Sequence, residues 1–139
     1  MTQIDFYSGV ADKLAVVCQL AQKALAKGNR VLVFAPDGDT LRRLDSLLWT
    51  TPALGFIPHC TPDHRCAAET PVILCNEAHE FNHYDVLINL QSTWSPFFSR
   101  FARLLEIVSP DEADRAAARV RWRFYKDRGY QISNIDLGR

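Results

Sequence analysis

Neither sign of charge is in excess in this sequence: Lys and Arg number 16, Asp and Glu 16, and the formal net charge is zero. A general nucleic-acid binder is usually basic overall, so any DNA contact is expected to be local or indirect. No apolar run approaches the length of a membrane span. The opening stretch, Met1-Thr2-Gln3-Ile4-Asp5-Phe6-Tyr7, has no basic segment and no signal-type apolar run, which predicts a cytoplasmic protein. Phosphate-cradling motifs are missing, since there is neither G-x-G-x-x-G nor G-K-[ST]. G-x-S-x-G and H-E-x-x-H are also missing, and no Cys-His arrangement falls on recognisable elements, so neither catalysis nor a cofactor is expected.

Cysteine is sparse, with four residues in 139. Cys18 falls in a helical pattern and Cys75 ends an apolar run, so both read as small core residues. Cys60 and Cys66, with His59 and His64, supply zinc-ligand chemistry without a familiar zinc spacing. The stretch 59–70 is expected to be a polar loop without metal. His79 and His83 stand at i, i+4, but no third ligand accompanies them, and they are expected on the surface.

What is present is strong periodicity from end to end, and the length suits one α/β domain over residues 1–139. Ile4-Asp5-Phe6-Tyr7 alternates and predicts a first strand. Leu14, Val17, Cys18, Ala21 and Leu25 recur at helical spacing between Lys13 and Ala26. Arg30-Val31-Leu32-Val33-Phe34-Ala35 is the continuous apolar run of a buried parallel strand, completing a βαβ unit. The following turn, Pro36-Asp37-Gly38-Asp39, stands where nucleotide-binding folds place a phosphate loop, yet its two aspartates would repel phosphate. Asp39 is expected to cap a helix from Thr40 that turns Leu41, Leu44, Leu47 and Leu48 inward and ends near Trp49. Trp49 and Phe56 flank a proline-containing turn. The residues alone leave them either plugging the core or forming an aromatic patch that another protein covers. Residues 71–75 and 86–90 predict further strands, 94–101 a short aromatic helix and 104–108 a last strand. From Tyr130 onward the chain reads as a polar tail.

The stretch 109–129 predicts a helix with marked ends. Ser109 suits the N-cap, Pro110 the first helical position, and Glu112 completes a Ser-x-x-Glu capping box. Gly129 stands where a helix-terminating glycine belongs. Ala113, Ala117, Val120 and Phe124 share one face, read as core-facing, and Arg115, Arg119, Trp122 and Lys126 cluster on the opposite side. That second face is either a solvated surface with an indole shielding arginine stems, or a docking site for a partner both acidic and apolar. Nucleic acid, an acidic peptide and a membrane surface all satisfy it.

Several stretches together resemble a known family. They are Phe6-Tyr7, the run from Lys27 to Val33, Leu44-Asp45-Ser46-Leu47-Leu48-Trp49, Phe56-Ile57-Pro58-His59, the run from Asp85 to Leu90, and Arg119-x-x-Trp122-x-x-Tyr125-x-x-x-Gly129. In order and spacing, over essentially the full length, the chain is similar to the chi subunits of bacterial DNA polymerase III. The resemblance implies a Rossmann-like three-layer α/β fold with a mainly parallel sheet and no phosphate-binding loop. It implies a non-catalytic adaptor that joins the clamp loader, through the psi subunit, to the acidic, phenylalanine-terminated tail of single-stranded-DNA-binding protein. Arg115, Arg119 and Trp122 match the family's tail-binding positions, whereas Lys126 joins them through the helix geometry. Trp49 and Phe56 match positions associated with psi and with a helicase competing for that surface, which favours the exposed-patch reading of the pair. The chain departs from relatives that carry lysine at the place of Arg115 and tyrosine at that of Trp122. The alternative is a module binding single-stranded nucleic acid directly through the same basic face.

Overall fold

The computed structural model describes residues 2–50, 59–60, 71–77 and 84–138, and in it the short apolar runs become strands of one sheet. In chain order the elements are β1 (Gln3–Ser8), α1 (Lys13–Ala26), β2 (Val31–Phe34), α2 (Gly38–Thr50), β3 (His59–Cys60), β4 (Val72–Cys75) and β5 (Val86–Asn89). A 3₁₀ turn (Phe98–Arg100), β6 (Arg103–Ile107), α3 (Glu112–Asp127) and β7 (Ile132–Asp136) complete it. The strand order is β3-β4-β2-β5-β6-β1-β7, and every neighbouring pair is parallel.

Side chains alternate along a strand, so each continuous apolar run divides between two cores. Val31 and Val33, with Val72, Leu74, Val86, Ile88 and Leu105, pack against Val17 and Cys18 of α1 and Leu44 and Leu48 of α2. Leu32, Phe34, Ile73, Leu87 and Leu104, with Ile4 and Phe6, pack against Ala118 and Tyr125 of α3 and the aromatic residues Phe97, Phe98 and Phe101. Burial on both faces is why these strands read as unbroken apolar runs. The outcome is the expected Rossmann-like α/β arrangement, with helices on both sides of a parallel sheet.

Several local expectations are corrected. Asp37 caps α2, accepting from the Thr40 N–H at 2.8 Å, and the helix starts at Gly38, two residues before Thr40. Residues 94–101 form only the 3₁₀ turn, since Pro96 disfavours helix at the residue before it and Ser95 Oγ takes the Phe97 N–H at 3.2 Å. Cap and start also move in α3. Asp111 accepts from the Asp114 N–H and is the N-cap, two residues later than Ser109, while Asp114 Oδ2 accepts from the Ser109 N–H at 2.7 Å and ties down the segment before the helix. Pro110 thus lies before the helix. The expected end holds: Gly129 at φ 84° closes a Schellman motif, with Tyr130 N–H donating to Tyr125 O and Gly129 N–H to Lys126 O.

The largest correction concerns which face of α3 is buried. Ala113 is exposed and Val120 is 61% exposed, whereas Ala118, Arg121 and Tyr125 are buried. The reason is a carboxylate on β6. Glu106 is fully buried and accepts from Arg121 Nε at 3.0 Å, Tyr125 OH at 2.5 Å and Asn89 Nδ2 at 3.1 Å. Arg121 Nη1 also donates to Ser92 O at 2.7 Å. Burial pushes the Glu106 carboxyl upward against the pull of Arg121, Tyr125 and Asn89, and burial together with Glu106 raises the Tyr125 hydroxyl. Pattern rules place arginine outside, so a buried guanidinium shifts the helix by one position. The expected polar tail is likewise structured, because residues 132–136 add β7 beside β1, pairing Ile4 with Ile132 through Ser8 with Asp136.

Candidate functional site

At about 100° per residue, Arg115, Arg119 and Trp122 stand roughly a quarter-turn round α3 from the buried Ala118–Arg121–Tyr125 stripe. They occupy its flank, not its far side. That flank overlooks the end of β1, and the edge strand β7 rises beyond. Together these elements enclose a groove of about 480 Å³ lined by Arg115, Ala118, Arg119 and Trp122 from α3, Phe6, Ser8 and Gly9 around β1, and Asn134 and Asp136 from β7. Val108, Ser109 and Pro110, leading into α3, close one end.

The floor is aromatic. Trp122 is half-buried and tilts 54° against Phe6, with ring centroids 5.0 Å apart. Phe6 in turn lies 6.1 Å from Tyr125, which Glu106 holds, so the indole rests on a fixed base. Gly9, at φ 67°, lets the chain leave β1 against the C-terminal segment. A Cβ there would come within 2.8 Å of Asp136 Oδ1 and of the Gly138 backbone. Asp136 Oδ1 also accepts from the Gly138 N–H at 2.9 Å, so this wall's carboxylate is engaged locally.

The rim is cationic and solvated. The side chains of Arg115 and Arg119 are 56% and 61% exposed, and both approach Glu112, at 3.8 Å and 3.1 Å. An exposed guanidinium pair above an apolar floor can hold carboxylates while covering an apolar group. Below the rim, Asp114 ties α3 to α1 through Lys13 Nζ at 3.1 Å. Burial pushes the Asp114 carboxyl up, but the Ser109 N–H and Lys13 outweigh it and hold the group below the usual carboxylate range.

Of the residues singled out in the sequence, Arg115, Arg119 and Trp122 share this groove. Lys126 is exposed one turn further on and does not line it. Trp49 belongs to the last turn of α2, but its side chain and the whole of Phe56 lie outside the described residues, as does the loop 61–70. Sequence reasoning missed Phe6, Asn134 and Asp136 as groove residues because the partnership of β1 with a parallel β7 leaves no local signal. Glu112 was visible but read as a capping residue. Cys18 and Cys75 are buried, and burial raises their thiols to about 11 and about 12. No described helix is long and apolar enough to cross a membrane.

The family model described as "DNA polymerase III chi subunit, HolC" matches residues 1–133. A protein named DNA polymerase III subunit chi from Pseudomonas aeruginosa is 36% identical over 143 residues, covering 100% of this chain and 99% of its own. The protein of that name from Escherichia coli is 28% identical over 133 residues, covering 95% of this chain and 88% of its own. Its counterpart in Haemophilus influenzae is 26% identical over 124 residues, covering 88% and 86%. This chain therefore belongs to the DNA polymerase III chi subunit family.

Proposed function

We propose that the chain is a non-catalytic cytoplasmic adaptor of the bacterial replication machinery, a single domain that uses the α3 groove to hold the acidic, phenylalanine-terminated tail of single-stranded-DNA-binding protein. One observation carries the reading: Arg115, Arg119 and Trp122 converge with Phe6 on a single groove that has a cationic rim and an aromatic floor. The arginines take the carboxylates of the tail, including its terminal one, and Trp122 with Phe6 covers the apolar end. Individual contacts are weak, and strength comes from a coat protein that presents several tails at once. The second partner is the psi subunit, bound through Trp49 and Phe56 on the resemblance described above, with a helicase competing for that surface. DNA contact is indirect.

The test is a fluorescence-anisotropy titration with a labelled peptide copying such a tail, beside a version lacking the terminal phenylalanine and a naked oligonucleotide. Saturable binding to the full peptide, lost without the phenylalanine and lost in Arg119→Ala, is the expected result. Binding to the oligonucleotide alone, with a steep salt dependence, would instead assign the groove to nucleic acid.

A further inference from the structure

We infer that Glu112 is an internal stand-in for the ligand's carboxylate, which an incoming acidic segment must displace to bind; this rests on the reading of the groove proposed above. Capping releases Glu112 for the role. Asp111 caps α3 and Asp114 takes the Ser109 N–H that a capping box would have left to Glu112, so the Glu112 side chain has no capping duty. Its carboxylate instead spans both rim arginines. Oε1 lies 3.1 Å from Arg119 Nη2, and Oε2 lies 3.8 Å from Arg115 Nη1. One oxygen per guanidinium is the arrangement that a ligand carboxylate would adopt in the same place. The Glu112 side chain is 76% exposed, and among the described residues the two arginines are its side-chain partners. Exposed pairs of this kind are weakly held and exchange readily. The apolar floor, by contrast, has no internal occupant among the described residues.

Two consequences follow. The free protein keeps its arginines converged above the groove, so binding is an exchange of one carboxylate for another with little rearrangement. Glu112 also sets a threshold, because a ligand must outcompete an anion already in place, and one that adds apolar contact with Trp122 and Phe6 does so best.

The experiment titrates a labelled acidic peptide, ending in phenylalanine with a free carboxylate, into the full chain, Glu112→Gln, Arg119→Lys and the double variant. Glu112→Gln is expected to bind about two- to fivefold more tightly than the parent, the scale of one exposed ion pair. Partial unfolding would weaken binding, so a gain cannot come from lost structure. Arg119→Lys keeps the charge but loses the planar fork, and in that background the gain from Glu112→Gln should shrink toward none. Equal or weaker binding by Glu112→Gln overturns the inference while leaving the groove reading intact. An undiminished gain in the Arg119→Lys background also overturns it, since that would be repulsion at a distance and not occupation of the arginine. Failure of the parent and Glu112→Gln alike to bind the peptide removes the groove reading and this inference together.

Discussion

Two arginines of α3, Arg121 and Arg119, meet glutamates with nearly the same geometry in opposite surroundings. Arg121 Nε lies 3.0 Å from Glu106 Oε1, and Arg119 Nη2 lies 3.1 Å from Glu112 Oε1. The side chains of the first pair are 1% and 0% exposed, and those of the second 61% and 76%. Inside, desolvated charges need partners beyond each other, and Tyr125, Asn89 and the Ser92 carbonyl supply them. Outside, water supplies them and the pair is free to change partners. Distance alone therefore does not say what an ion pair is for. The buried pair decides where α3 sits, and the exposed one, on the function proposed above, decides what α3 can hold.

Breaking the inner pair should have the largest effect. Arg121→Ala strands a buried carboxylate and is expected to cost about 3–5 kcal/mol, seen as a lowered urea midpoint. Replacing both partners, as Arg121→Met with Glu106→Leu, should recover part of that loss. About 1–3 kcal/mol should remain, because the Tyr125 hydroxyl loses its acceptor, and adding Tyr125→Phe should restore most of it. A single Arg121→Ala change that leaves the urea midpoint unmoved would end the distinction between the two pairs.

The outer arginine should show the inverse profile. Arg119→Ala is expected to change stability by no more than about 0.5 kcal/mol. It should weaken binding of the acidic peptide about tenfold or more, the scale of a charge-assisted hydrogen bond to a carboxylate. Urea unfolding and anisotropy on the same preparations separate the two effects. If stability falls in step with affinity, Arg119 is structural and the contrast with Arg121 collapses.

Asp114 lies between these extremes, with 18% of its side chain exposed and its pKa held below the usual range. A carboxyl whose folded pKa is depressed contributes stability that is complete above its unfolded value, about pH 4, and is lost as pH falls through the folded value. An acid titration of stability should therefore show a decline on the order of 1 kcal/mol below about pH 4 that Asp114→Asn removes. The slope should be unchanged in Asp114→Asn if the Lys13 and Ser109 contacts contribute nothing.

These pairs also show how far the sequence could be read. Strands β1, β2, β4, β5 and β6 and helix α1 were legible because their apolar runs and helical repeats follow from burial on two faces, and α1 spans Lys13–Ala26 as its periodicity predicts, whereas His59–Cys60, read as the start of a loop, pair with β4 as β3. The rim arginines and Trp122 were legible because they share a helical azimuth. The buried face of α3 was not, since Arg121 and Tyr125 go inside only to meet Glu106, 15 and 19 residues earlier. Phe6 and β7 were hidden for a related reason: β1 and β7 pair across almost the whole chain, and the polar residues of Ile132–Asp136 look like a tail until an edge strand is needed beside β1. The failures are thus polar and long-range, where local periodicity carries least information.

Lys126 gives the smallest effect and the finest test of that lesson. By helical angle it belongs with Arg115, Arg119 and Trp122, which is why the sequence groups them. The groove ends before it: Lys126 is exposed, does not line the cavity, and its carbonyl is engaged in the Schellman motif that stops the helix. A solvated lysine one turn beyond a binding groove acts only through screened, long-range attraction, a few tenths of a kcal/mol at physiological salt. Lys126→Ala is accordingly expected to weaken the acidic peptide by less than about twofold, with even that difference vanishing as salt rises. A loss matching that of Arg119→Ala would extend the ligand along α3 past Trp122, so that helical azimuth and not enclosure by β1 and β7 would define the site.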